Sequence, residues 1–290
     1  MGNGILIKLN NLEKTINTSV MKIDEIERGA TEDDTFFKNI ATIVETKGAV
    51  ILRNLIDADT ATSLKKALTD CILEDEKKFG RGYIFYGMVH ALMTRNKVFL
   101  DLLEETYILK SMRSVLGHGA IVHAFNSSSM PPCDSNFSRS IHVDCPRLIP
   151  NYITNLGLTI ALDPFVKENG AMEIYHTSFN QAAEPLEEDF SKNAVKLANL
   201  QVGDAILFNA RCWHRGGINE TSNWRHAVSM NICRSYMRQQ FDFPGMFAEK
   251  KAQQFSETLK QFMGYYVRQP KSMRDFLLPE DKRFYRSRQE

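Results

Sequence analysis

The chain has little of several things. Its five cysteines, at positions 71, 133, 145, 212 and 233, are scattered among 290 residues with no Cys-x-x-Cys pair, so they fit neither a disulfide framework nor a zinc knuckle. Excess charge is missing too: 36 Lys and Arg against 35 Asp and Glu leave a net charge of +1, and no global field exists to hold nucleic acid or an anionic membrane. No stretch approaches the roughly eighteen consecutive apolar residues of a membrane span. The first residues, with Lys8 and Lys14, lack the apolar run of a secretory signal. Internal repeats, low-complexity tracts and linkers rich in Pro, Gly or Ser are also absent. Reduced thiols in a soluble cytoplasmic protein are the expectation, with residues 1–290 forming one domain that binds neither nucleic acid nor membrane. What is present is an ordinary globular composition, 43% apolar and 24% charged, sufficient for a substantial core.

Periodicity divides the chain. Helical spacing runs over 32–47, with Thr31 as the expected cap and Gly48 as the stop, and a buried strand follows at 49–52. A second helix, capped by Asp57 or Asp59, passes through Leu64, Ala67, Leu68 and Cys71, and a third spans 98–116. The glycine-punctuated segment 79–83 lacks the Lys-Ser or Lys-Thr of a phosphate loop and reads as a plain loop. After Gly119 the texture changes to strand-length apolar runs at 121–125, 141–144, 156–162, 171–175, 205–208 and 227–232, separated by turn residues such as Asn169-Gly170 and Gly203-Asp204. Such spacing suggests a jelly-roll sandwich or barrel instead of alternating βαβ units. A helical or irregular insertion is expected at 187–200, and helical periodicity returns over 247–268. The predicted fold is therefore α+β: helix-rich over 1–118, a jelly-roll core over about 119–236, and a helical segment over 237–290.

Chemistry concentrates in the strand-rich part. On an extended strand His142 and Asp144 point to the same face, which suits a two-toothed metal clamp and equally suits a hydrogen-bonded pair at a sheet edge. His214 ends the segment 202–214, seventy residues after Asp144, far enough for the chain to cross a two-sheet structure and return. Two histidines and one carboxylate match the facial triad of non-haem Fe(II) oxygenases, which leaves coordination positions open. Eleven residues after His214 stands Arg225, placed either to grip a carboxylate by paired hydrogen bonds or to form a surface ion pair.

The series His142-x-Asp144, then 168–173 with Thr177-Ser178, then Gly203-Asp204, then His214 with Asn219 and Arg225, resembles the phytanoyl-CoA dioxygenase family of Fe(II)/2-oxoglutarate oxygenases over roughly 48–236. That resemblance implies a double-stranded β-helix of cupin-like type flanked by helices, with iron at His142, Asp144 and His214 and the C5 carboxylate of 2-oxoglutarate at Arg225. It also implies polar groups facing the cosubstrate from the strand before the clamp, where His123 and Asn126 are the candidates. Many members carry a small hydroxyl residue two after the distal histidine, whereas Gly216 stands here, and Ser229, four after Arg225, is the candidate replacement. Where members often show Pro-Gly-Ser-His, this chain has 175–180 with His176, a site-lining or structural histidine.

The implied reaction consumes O2 and 2-oxoglutarate, releases succinate and CO2, and hydroxylates a small, partly polar metabolite, as in specialised biosynthesis. Desaturation and ring formation by the same chemistry stay open. Asp144 argues against halogenation, because related halogenases replace this carboxylate with a small residue. The rival classes are a non-catalytic jelly-roll binding module and a cupin-type metal enzyme that uses no 2-oxoglutarate. Segments 79–90, with Tyr83, Phe85, Tyr86 and His90, and 126–137 are the expected substrate lining; oligomeric state is not legible.

Overall fold

Polar caps set the helices of the N-terminal half. In this computed structural model, which describes residues 22–29, 32–283, 285–286 and 289, strand β1 (Asp24–Glu27) leads into helix α1 (Asp34–Lys47). Asp33 caps α1 by accepting from Phe36 N, and Gly48 closes it with a left-handed φ of 84°. Thr31, the expected cap, lies outside the described residues. Strand β2 (Ala49–Arg53) and helix α2 (Ala58–Phe79) follow, the latter capped by Asp57. The single helix expected over 98–116 is two, α3 (Lys97–Leu102) and α4 (Thr106–Leu116). The break comes at Glu105, whose carboxylate accepts from Tyr107 N and Ile108 N and so starts a new helix.

Beyond Gly119 come β3 (Ile121–Ser127), β4 (Asn155–Ala161), β5 (Glu173–Tyr175), α5 (Glu187–Asn193), β6 (Val195–Lys196), β7 (Ala205–Asn209), β8 (Trp213–Arg215) and β9 (Ala227–Cys233). Two sheets result, a six-stranded one in the order β1-β2-β7-β4-β9-β3 and a three-stranded one in the order β6-β5-β8. The β1-β2 pair is parallel and every other pair antiparallel. They face each other without closing into a barrel, and helices cover the outer face of the larger sheet, in keeping with the predicted jelly-roll core. The C-terminal stretch 247–268 carries short helices, α6 (Glu249–Ala252) and α7 (Glu257–Phe262), with α8 (Met273–Phe276) beyond it. Ser256 separates the first two by capping α7.

Period-two alternation sorts the large sheet into two layers. Val50 and Leu52 of β2, Ala205 and Leu207 of β7, Leu156, Leu158 and Ile160 of β4 and Val228, Met230 and Ile232 of β9 pack against the helices. Ala49, Ile51, Ile206 and Phe208 face the small sheet and meet Ile174, Leu197, Leu200 and Cys212. The inner faces of β4 and β9 carry something else: Thr159, Ser229 and Asn231 open onto a cavity between the sheets.

Segment 141–144 is not a strand. His142 alone makes a bridge, to His214, through N to O bonds of 3.0 and 2.9 Å in the two directions. The ladder stops on both sides because the two rings take the next carbonyls: His142 bonds Ser140 O, so that Gly216 N turns to Ser138 O, and His214 bonds Cys212 O.

Candidate metal centre

The backbone bridge between His142 and His214 brings two residues 72 apart in sequence side by side, with ring centroids 4.2 Å apart. In each imidazole Nδ1 lies against a backbone carbonyl, Ser140 O at 2.7 Å and Cys212 O at 2.9 Å. A ring that donates from Nδ1 keeps the lone pair of Nε2 free, the tautomer a metal requires. The Asp144 carboxylate stands 3.8 Å from His142 Nε2 and 3.7 Å from His214 Nε2. One ligand atom from each of the three residues lies within 4.8 Å of the others. The donor set, its spacing and its preset tautomers fit a divalent transition metal. Burial and the neighbouring His142 push the His214 imidazole down to about 4, so it is neutral at pH 7 and ready to coordinate.

Two rows of side chains floor the cavity above the large sheet. Across β3, β9 and β4, Asn126 lies opposite Ser229 and Ser229 opposite Thr159; one step along, Ala124 lies opposite Asn231, Asn231 opposite Gly157, and Gly157 opposite Phe208. A bulge in β3 between Val122 and Ala124 lets His123 border the cavity as well. His123 bonds Arg238 O at 2.8 Å, Asn126 accepts from Ala91 N, and Ser229 Oγ lies 3.5 Å from Thr159 Oγ1. The cavity, about 240 Å³, gathers all seven expected site residues: His142, Asp144, His214, Arg225, His123, Asn126 and Ser229.

Arg225 lies just before β9, bridged by its backbone to Met130, and β9 and the His214-bearing β8 belong to different sheets. Arg225 is only 2% exposed; its guanidinium donates to Ser128 O and Gly170 O and lies 4.3 Å over the Phe165 ring. No carboxylate lies within ion-pair distance among the described residues, and Nε is buried without a partner. Burial pushes this group down to about 9, although Asp163 opposes the shift. A buried cation that faces a cavity with no carboxylate beside it among the described residues can receive an anion.

A Cβ on Gly216 would meet Met130 Cε and Ser138 Oγ, so a side chain there requires both of those side-chain ends to turn aside. The Ser138 hydroxyl, which also lines the cavity, stands in that space. Thr159, Asn231 and Ser138 are lining residues that sequence reasoning missed. For Asn231 the signal was present, since Ser229 and Asn231 alternate with Val228, Met230 and Ile232. His176 is structural: it is buried, bonds Lys47 O at 2.7 Å and does not reach the cavity. Asn219 braces the turn after His214 by donating to the carbonyls of Met130, Pro131 and Asn223. Of segment 79–90 only Met88 lines the cavity, while Phe85 packs on His90 and on Phe137 next to the lining Ser138.

Known proteins resemble this chain over most of its length. An uncharacterised protein of Mycobacterium tuberculosis, Rv1501, is 27% identical over 208 residues, covering 70% of this chain and 76% of its own. The dioxygenase andF of Emericella variicolor is 22% identical over 225 residues, 69% of this chain and 75% of its own. Among solved structures, the nickel complex of the non-haem monooxygenase ThoJ superposes with a TM-score of 0.56 at 18% identity, covering 68% of this chain and 78% of that one. AviO1 of Streptomyces viridochromogenes Tue57 gives 0.55 at 16% identity, over 71% and 96% of the two chains. At such identities the structural likeness shows a shared fold. With the profile of the phytanoyl-CoA dioxygenase (PhyH) family matching residues 44–227, the stretch that carries the clustered ligands and Arg225, the chain belongs to that family.

Proposed function

We propose that the protein is an Fe(II)/2-oxoglutarate-dependent dioxygenase that hydroxylates an unactivated C–H bond of a small metabolite. The observation that carries this reading is the pairing, in one cavity, of a His-Asp-His cluster with a buried arginine that has no counter-ion among the described residues. His142, Asp144 and His214 hold the iron, and Arg225 holds the far carboxylate of 2-oxoglutarate by charge-assisted hydrogen bonds. When bound, iron and 2-oxoglutarate supply the oxidation: O2 is consumed, succinate and CO2 are released, and the substrate gains a hydroxyl group.

The chain's own residues position and exclude. The floor of Ser229, Thr159, Asn126 and Asn231, with His123 at its edge, offers hydrogen bonds to the cosubstrate. Phe165 and Phe208 keep the arginine and the distal histidine away from water. A cavity of about 240 Å³ falls below the usual range for a ligand site of roughly 300–1,000 Å³, so most of the substrate sits at the mouth. Phe85 packs on His90 and Phe137 next to the lining Ser138, and Ser127 and Ser128 also line the cavity, a mixture that suits a partly polar metabolite. Asp144 fills the position that a halide would need, which favours hydroxylation over halogenation.

The test is uncoupled turnover. Wild-type protein given Fe(II), O2 and 2-oxoglutarate releases succinate without added substrate, and Asp144→Ala does not. Succinate formation no greater than that of Asp144→Ala removes the reading.

A further inference from the structure

Of the three clustered ligands, Asp144 has the least support of its own. His142 and His214 are fixed by their mutual backbone bridge and by Nδ1 bonds to carbonyls, whereas no hydrogen bond reaches the Asp144 carboxylate among the described residues. Its position depends on what holds the chain just after it. Cys145 N donates to Ala210 O at 3.1 Å, Cys145 Sγ lies 3.3 Å from Thr154 Oγ1, and a charged side chain, Arg211, holds the carbonyl side of the same segment. Arg211 Nη1 donates to Cys145 O and Pro146 O, each at 3.2 Å, and Nη2 donates to Gln181 O at 2.6 Å. The same Gln181 carbonyl accepts from the Trp213 indole at 3.4 Å, next to His214.

We infer that Arg211, a residue outside the metal cavity, is the positioning residue for Asp144: it ties the segment after Asp144 to the segment that carries His214, and so sets the third ligand before metal arrives. Arg211 is 6% exposed, and its guanidinium has no carboxylate partner among the described residues, so its charge is spent on backbone carbonyls. Only a planar fork reaches two carbonyls on one side and a third on the other; a lysine ammonium in its place cannot span them. The inference rests on the reading of the cluster as a metal centre, and second-layer partners of this kind are worth roughly 10- to 100-fold in metal affinity.

The test is titration of the metal-free protein with Co(II), read by visible d–d absorption, beside thermal unfolding of the same metal-free samples. Arg211→Met and Arg211→Lys are compared with Asp144→Ala and with Arg234→Met. Arg234 is the matched control, since it also donates to three carbonyls, those of Ile153, Leu116 and Val115, but touches no ligand-bearing segment. The expected result is Co(II) affinity lowered about 10- to 100-fold in Arg211→Met, with altered band shape in Arg211→Lys, and wild-type affinity and bands in Arg234→Met. Should Arg211→Met fail to fold, Arg211→Lys, which keeps the charge, decides. Wild-type affinity and bands in the Arg211 variants, or an equal loss in Arg234→Met, overturn the inference. Wild-type binding by Asp144→Ala would instead overturn the metal-centre reading beneath it.

Discussion

At the scale of single residues, the site is defined by polar groups that burial leaves short of partners. Arg225 lacks a counter-ion among the described residues, and beside it in sequence His226 is buried, bonded at Nδ1 to Ser129 Oγ at 3.1 Å and stacked on Trp224. Burial pushes His226 down to about 4 from the ordinary 6.5, although Asp163 opposes the shift. The fold therefore keeps this ring neutral, while the unfolded chain takes up a proton below its ordinary value. Stability is complete above pH 6.5 and is lost as pH falls toward 4, by an amount on the order of 2–3 kcal/mol for one such group. Urea unfolding of the metal-free protein between pH 7 and 5 should show stability falling with pH, with a slope smaller by about one proton in His226→Asn. An unchanged slope in that variant would place the proton uptake elsewhere. The candidates that line the cavity came from the order and spacing of His142, Asp144, His214 and Arg225, each weak alone, and from the family resemblance that points to His123, Asn126 and Ser229. Thr159 and Ser138 were not legible, since a hydroxyl is informative only once the strand partner or the facing turn is known.

At the scale of elements, close approach decides more than propensity. Gly157 sits in the middle of β4, where glycine costs strand stability, because the Phe208 ring of β7 lies where its Cβ would be. Phe208 in turn stands edge-on to His214, with centroids 5.0 Å apart. Gly157→Ala should therefore cost about 1–3 kcal/mol in urea unfolding and weaken Co(II) binding through a displaced Phe208; wild-type values for both would show that the ring has room to move. Most strand positions were readable from apolar runs and turn residues, and β2, β3, β4, β7 and β9 fall where the pattern puts them. The clamp segment was misread as a strand, yet its two ligands converge all the same. The reason is non-local: His142 is aligned by one bridge to His214, and sequence within 141–144 carries no trace of that partner. The split of 98–116 was local, visible in Glu105 as a second cap, and hidden by an unbroken apolar period.

At the scale of the whole molecule, a six-stranded and a three-stranded sheet hold between them a cavity whose floor comes from the larger sheet and whose His-Asp-His cluster comes from the smaller one and the loop bridged to it. Helices α1 to α4 pack on the outer face of the large sheet, and α5 packs against Arg215 of β8 in the small sheet. The central claim is that this cavity binds iron and 2-oxoglutarate together. The direct measurement is an anaerobic titration of the Fe(II)-loaded protein with 2-oxoglutarate, followed by visible absorption. The account predicts a saturable charge-transfer band in wild type, no band in Asp144→Ala, and about 10- to 100-fold weaker 2-oxoglutarate binding in Arg225→Met. A wild-type protein without the band, or a band unchanged by both substitutions, would contradict it.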